Sequence, residues 1–211
     1  MPHQNFIGPD GKPWPSATEL TNLLPADWVM SWYRSQVKKY GWRGWQRCKA
    51  QSNRGMKIGT MVHERLEHLV KKEPCVPYPQ RYHIDELADK LFDTVNLLIE
   101  DYVAIEPHLV SHSYQVAGTA DMIVRLHSRP GLWVGDYKTS YDKDELKHPL
   151  QLAIYATAWS ETHPEQAIDQ GFIARIDKKS KGLNVKIDEY QGLKQYIPWI
   201  KVLREIWEKM R

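Results

Sequence analysis

Cysteine is scarce in this sequence, with only Cys48 and Cys75 present. Two thiols build neither a disulfide framework nor a four-thiolate metal site, so a disulfide-stapled secreted fold is excluded and a reducing compartment is expected. Also missing are any stretch resembling a signal peptide and any apolar run of the ~20 residues that a bilayer-spanning helix needs. A soluble, cytoplasmic protein with no membrane association is the expectation. No repeat or low-complexity tract appears, and the phosphate-binding pattern G-x-x-x-x-G-K-[ST] is absent, which leaves no P-loop. The formal net charge is only +3, too small by itself to argue for a polyanionic partner.

The distribution of charge says more than its sum. Between Trp28 and Leu66 nine Lys and Arg residues stand against one acid, Glu64, and six Trp and Tyr residues are interleaved with them. Cations for phosphates and flat rings for bases are the ingredients of a nucleic-acid surface. Arg43, Arg47, Lys57, Trp42 and Trp45 are the candidates for it, although a solvated helix with core aromatics has the same composition.

A chain of 211 residues, 42% hydrophobic, is long enough for one sizeable core. Residues 1–15 hold four prolines and read as an extended lead-in. Ser16 and Glu19 form a capping box that starts a helix. Pro25 breaks the pattern, a second helix starts near Asp27, and Gly41 and Gly44 loosen the segment that follows. Helical spacing predicts further helices over 58–71, 84–103, 149–161 and 190–211. Strands are expected over 109–116, 119–126, 132–137, 168–176 and 183–187, with 177–182 as a hairpin loop. This is an α/β pattern with a mixed sheet. The expected organisation is a helical, basic-aromatic segment at 1–57 packed on a core at 58–211.

Within that frame a few residues are suited to phosphodiester chemistry. Hydrolysis at neutral pH needs an activated water and something to absorb charge on the phosphate, jobs done by divalent ions held on oxygen ligands. In Trp133-Val-Gly-Asp136-Tyr-Lys138, the strand period of two puts Asp136 and Lys138 on one face and Tyr137 on the other. Taken alone, such a pair is also what a surface ion pair looks like. Asp121, in Gly118-Thr-Ala-Asp121, meets Asp136 at one end of the sheet if the two strands form a meander. Two converging carboxylates repel unless a cation joins them. His63 lies on the 58–71 helix with Glu67 one turn on. Gln151 and Tyr155 share a face of the next helix, where they suit phosphate contact or ordering of the site.

The ordered set G-T-x-x-H, E-P, G-T-A-D, D-Y-K-T-S and Q-L-A-I-Y, from Gly59 to Tyr155, resembles the RecB-like exonuclease branch of the PD-(D/E)XK nucleases. The resemblance implies a restriction-endonuclease-like core, with a mixed central sheet flanked by helices, acting on DNA with Mg²⁺ or Mn²⁺. It implies Asp121, Asp136 and Lys138 as the catalytic set. His63, Asp121, Asp136 and the backbone carbonyl of Tyr137 would be metal ligands, Glu106 an additional acid, and Gln151 and Tyr155 DNA contacts. Several relatives carry four cysteines for an iron–sulfur cluster, and this chain lacks them. An exonuclease on single strands or DNA ends, working by metal-activated water, is the reading the resemblance favours. A structure- or sequence-selective endonuclease and a non-catalytic DNA-binding module are the alternatives. Any unwinding would come from a partner such as a helicase or a recombination protein. The family's range includes viral enzymes of DNA repair or recombination, for which the compartment would be the host cytoplasm.

Overall fold

The structure, a computed structural model, describes residues 6–9, 11–24, 27–140, 143–176 and 183–211. The lead-in forms two short antiparallel strands, β1 (Phe6–Ile7) and β2 (Pro13–Trp14). Helix α1 (Ala17–Asn22) begins at the capping box: Glu19 N donates to Ser16 Oγ at 3.1 Å and Ser16 N donates to Glu19 Oε2 at 2.7 Å.

Helices α2 (Asp27–Tyr40) and α3 (Trp42–Lys71) form a hairpin turning at Gly41, whose φ is 57°. The glycines were expected to loosen this region, with a separate helix from Ile58. Instead α3 is one helix of 30 residues, about 45 Å long. Gly44 lies within it because a Cβ there would sit 2.1 Å from the Gln36 carbonyl oxygen, so glycine is what lets α2 and α3 pack this closely. The expected division between residues 57 and 58 falls inside α3.

Helix α4 (Ile84–Asn96) buries Ile84, Leu87, Ala88, Leu91 and Val95, one amphipathic stripe. The stripe was expected to run to Val103, but Leu97 is 79% exposed and the chain becomes strand β3 (Ile99–Ile105). A pairing partner decides this. Tyr102 and Ala104 lie opposite Val124 and Ile123 of β6 (Met122–Leu126).

The single strand expected over 109–116 is a hairpin of β4 (His108–Ser111) and β5 (Val116–Thr119). Its turn is bound by Glu161, which accepts from Ser111 Oγ at 2.6 Å and His112 N at 2.9 Å, a tie made across 50 residues. Next come β7 (Trp133–Lys138), α5 (Lys147–Thr162), β8 (Gln170–Ile176), β9 (Val185–Gln191) and α6 (Ile197–Lys209). The hairpin loop expected at 177–182 lies outside the described residues. The last helix starts later than expected, because β9 stays paired as far as Gln191, opposite Gln170, and Gly192 turns the chain with φ 67°.

The main sheet has the order β3-β6-β7-β8-β9, antiparallel except for the parallel pair β7–β8 that α5 connects. Each face carries a core. On one side α1, α5 and α6 cover Ile123, Val134 and Ile173; on the other, α3 and α4 cover Met122, Tyr137 and Phe172. A mixed central sheet flanked by helices, with a helical N-terminal segment, is the architecture expected from the sequence. Among the described residues no helix is long and apolar enough to cross a membrane.

Candidate active site

Strand register brings the acids together. Met122 lies opposite Gly135, so Asp121, one residue before β6, comes beside Asp136 on β7. The Tyr137 backbone N–H donates to Asp121 Oδ2 at 2.6 Å, which ties the bend before β6 to the end of β7. Lys138 Nζ lies 2.5 Å from Asp136 Oδ2, while Tyr137 turns into the opposite core. The alternation read from the sequence holds here.

Two helices complete the cluster. From α3, His63 Nδ1 is 3.1 Å from Asp121 Oδ1. From α5, Gln151 Nε2 donates to Asp136 Oδ1 at 3.4 Å and to Tyr155 Oη at 2.8 Å. Gln151 and Tyr155 are buried, so their observed contacts order the acid. Gly118 makes room for Tyr155, since a Cβ there would lie 2.7 Å from the ring.

The charges are mutually dependent. Burial pushes Asp121 upward, but His63, Lys138 and the Tyr137 N–H outweigh it and hold the carboxyl below its usual value. Burial opposes the His63 imidazolium, yet Asp121 and Asp136 outweigh that and raise its pKa. Asp136 is raised by burial, which Lys138 only partly offsets, with Asp121 adding to it. A cleft of about 610 Å³ opens beside these groups, lined among others by His63, Glu67, Glu106, Asp121, Lys138 and Tyr155. Glu106 turns there with φ 47°, and its carboxyl is pushed up to about 7 by burial, then by Glu67 and Asp121.

A profile of the PD-(D/E)XK nuclease superfamily matches residues 30–211. The chain belongs to that superfamily. It is a nuclease, and the family's substrate is DNA. No curated protein sequence matches the nuclease. Among solved structures it is similar to SSO0001, at 18% identity and a TM-score of 0.41, over 91% of this chain and 75% of that one. It is also similar to an alkaline exonuclease (LHK-Exo) from Laribacter hongkongensis, at 8% identity and a TM-score of 0.34, over 72% of this chain and 83% of the other.

The nuclease thus gathers His63, Glu106, Asp121, Asp136, Tyr137, Lys138, Gln151 and Tyr155 from three elements, α3, β7 and α5, and from two bends, one after β3 and one before β6. The remaining candidates lie elsewhere. Trp42 and Trp45 stack on each other at 4.6 Å near the start of α3, and Arg43, Arg47 and Lys57 are exposed along the same helix. As they stand, no three of the described His, Cys, Asp and Glu side chains form a metal-holding group. The oxygens of Asp121 and Asp136 face His63, Tyr137 N–H, Lys138 and Gln151 instead. The donor set still fits a hard divalent ion, because a buried and a half-buried carboxylate beside an imidazole offer the oxygen and nitrogen ligands that Mg²⁺ or Mn²⁺ accepts.

Sequence reasoning missed two members of this neighbourhood. Helical spacing marks Glu67 only as the helix mate of His63, yet it lines the cleft with Glu106. His148 is buried, its Nδ1 accepting from Asp144 N at 3.3 Å. Its pKa is pushed down to about 4 by burial and by Lys138. The spacing His148, Gln151, Tyr155 along one face of α5 was the available signal.

Proposed function

We propose that this nuclease is a metal-dependent exonuclease of the RecB-like branch, acting on single-stranded DNA or DNA ends. The observation that carries the reading is the meeting of Asp121, Asp136 and Lys138, with His63 from a separate helix, beside an open cleft. Asp121 and Asp136 would hold the ion, with the Tyr137 carbonyl and His63 as further ligands. A divalent ion bound there lowers the pKa of water and absorbs charge on the phosphate.

The chain's own residues would do the rest. Lys138 leaves Asp136 for the attacking water or a phosphate oxygen, a short movement for a flexible ammonium that is 26% exposed. Gln151 and Tyr155 keep the Asp136 carboxylate oriented towards the cleft, and the Tyr137 N–H does the same for Asp121. The scissile bond breaks to leave a 5′-phosphate and a 3′-hydroxyl. Glu106 is the further acid available to the cleft.

The test uses end-labelled single- and double-stranded oligonucleotides and closed circles with Mg²⁺, Mn²⁺ or EDTA. Cleavage from ends that EDTA stops is expected, and Asp136→Ala and Lys138→Ala each abolish it while circular dichroism stays unchanged. Nicking of closed circles would make the enzyme an endonuclease. Near-normal cleavage by either variant removes these residues from the site.

A further inference from the structure

Outside the catalytic cluster, the least ordinary feature of the molecule is the outer half of α3. Residues 49–57 are exposed on every side except for half-buried Gly55, so the helix crosses solvent between the body and the α2 hairpin. No Asp or Glu occurs between Val29 and His63, whereas eight Lys and Arg residues do. Its aromatic end is therefore remote from the chemistry. From Trp42 to His63 the helix rises roughly 30 Å at 1.5 Å per residue.

Helical periodicity sorts the residues of this stretch into two faces. At 3.6 residues per turn, Trp42, Trp45, Lys49, Met56 and Thr60 fall within roughly 60° of His63. Met56 and Thr60 line the catalytic cleft. Farther out, Lys49 Nζ lies 5.0 Å from the Trp45 ring, and Trp45 stacks on Trp42, which is 66% exposed. Met56 is 63% exposed. Arg43, Arg47 and Lys57 fall on the far side of the helix from His63, with the Arg47 guanidinium 5.2 Å from the Tyr40 ring. One face thus combines rings and a thioether with a single ammonium and leads to the cleft; the other is mainly cationic and leads away.

We infer that the Trp42–Trp45–Lys49–Met56–Thr60 face of α3 is a guide for one DNA strand, holding it by its bases about 30 Å outward from the catalytic cleft. This rests on the nuclease reading above and names the form of its substrate. Stacking on exposed rings reads no sequence and requires unpaired bases, so the strand is single. At no less than about 3.4 Å per nucleotide, the guide holds at most about nine nucleotides.

Anisotropy of labelled oligonucleotides in EDTA reads affinity apart from cleavage, so it stays informative whether or not any DNA is cut. Wild-type affinity for single strands is expected to climb with length and level off once the strand covers the guide. Trp42→Ala with Trp45→Ala and Lys49→Ala lowers affinity for long strands roughly tenfold and for three-nucleotide strands much less. The opposite-face triple Arg43→Gln, Arg47→Gln and Lys57→Gln, which removes three charges rather than one, has the smaller effect. Trp42→Ala alone keeps the test valid if the first triple is unstable, because that ring is largely exposed. A larger loss from the opposite-face triple overturns the guide, as does length-independent binding or equal affinity for a blunt duplex of matched length.

Discussion

The two halves of α3 belong to one uninterrupted helix yet are held by different forces. Its inner half, from Ile58 to Lys71, buries Ile58, Val62 and Leu66 against α4 and the sheet, and this packing delivers His63 to Asp121. Its outer half buries only Gly44, which packs on the neighbouring helix α2, and Cys48, and is otherwise exposed or half-buried. Where the helix is packed, position is set to within a hydrogen bond; where it is bare, direction is carried mainly by backbone continuity, with the Arg54 guanidinium 5.4 Å from the Tyr82 ring. A long helix can therefore hold an imidazole against a carboxylate at one end and present an extended surface at the other.

The largest effect expected from breaking this contrast is in the inner half. Leu66 is 1% exposed, and Leu66→Ala should cost about 2–5 kcal/mol in denaturant unfolding. A loss below about 1 kcal/mol would mean that the inner half is not the packed one.

Next is the pH dependence of the His63–Asp121 contact, measured in EDTA. The His63 pKa is raised above 6.5, so its contribution is complete below pH 6.5 and lost as pH rises through the raised value. Asp121 is held below 3.8, so its contribution is complete above that pH and lost as pH falls through the lowered value. Thermal stability should therefore fall on the alkaline side through loss of the imidazolium, and His63→Asn should flatten that limb. An unchanged limb in the variant would detach the contact from stability.

The smallest effect tests the outer half. Gly44→Ala places a Cβ 2.1 Å from the Gln36 carbonyl and should part α2 from α3 at a cost of about 1–3 kcal/mol. Hydrogen exchange should rise in α2 while α4 and β7 stay protected. Faster exchange throughout the molecule would show that the hairpin and the body unfold as one.

Much of the centre of the molecule was legible beforehand because its signals are local. The Ser16–Glu19 box needs four residues, and the strand period placing Asp136 beside Lys138 and away from Tyr137 needs three. The losses came where distant partners decide. The apolar pattern 84–103 continues smoothly, but a strand from residues 122–126 claims Ile99–Ile105. The turn between β4 and β5 depends on Glu161, far along the chain. Gly41 and Gly44 looked like breaks because the close approach of Gln36 cannot be read from spacing. Gln151 and Tyr155 were legible as a pair, but their hydrogen bonds to Asp136 and to each other belong to the fold.

By itself, then, the order of residues determined the chemistry available: two aspartates, a lysine and a histidine in a recognisable sequence, and a basic, aromatic stretch free of acids. Tertiary structure alone decided which of these groups meet. Register set Asp121 against Asp136, packing brought His63 to them, and the length of α3 carried the tryptophans away. The physical reason is range. Side-chain type and periodicity act over a few residues, whereas pairing and burial choose partners across the whole chain.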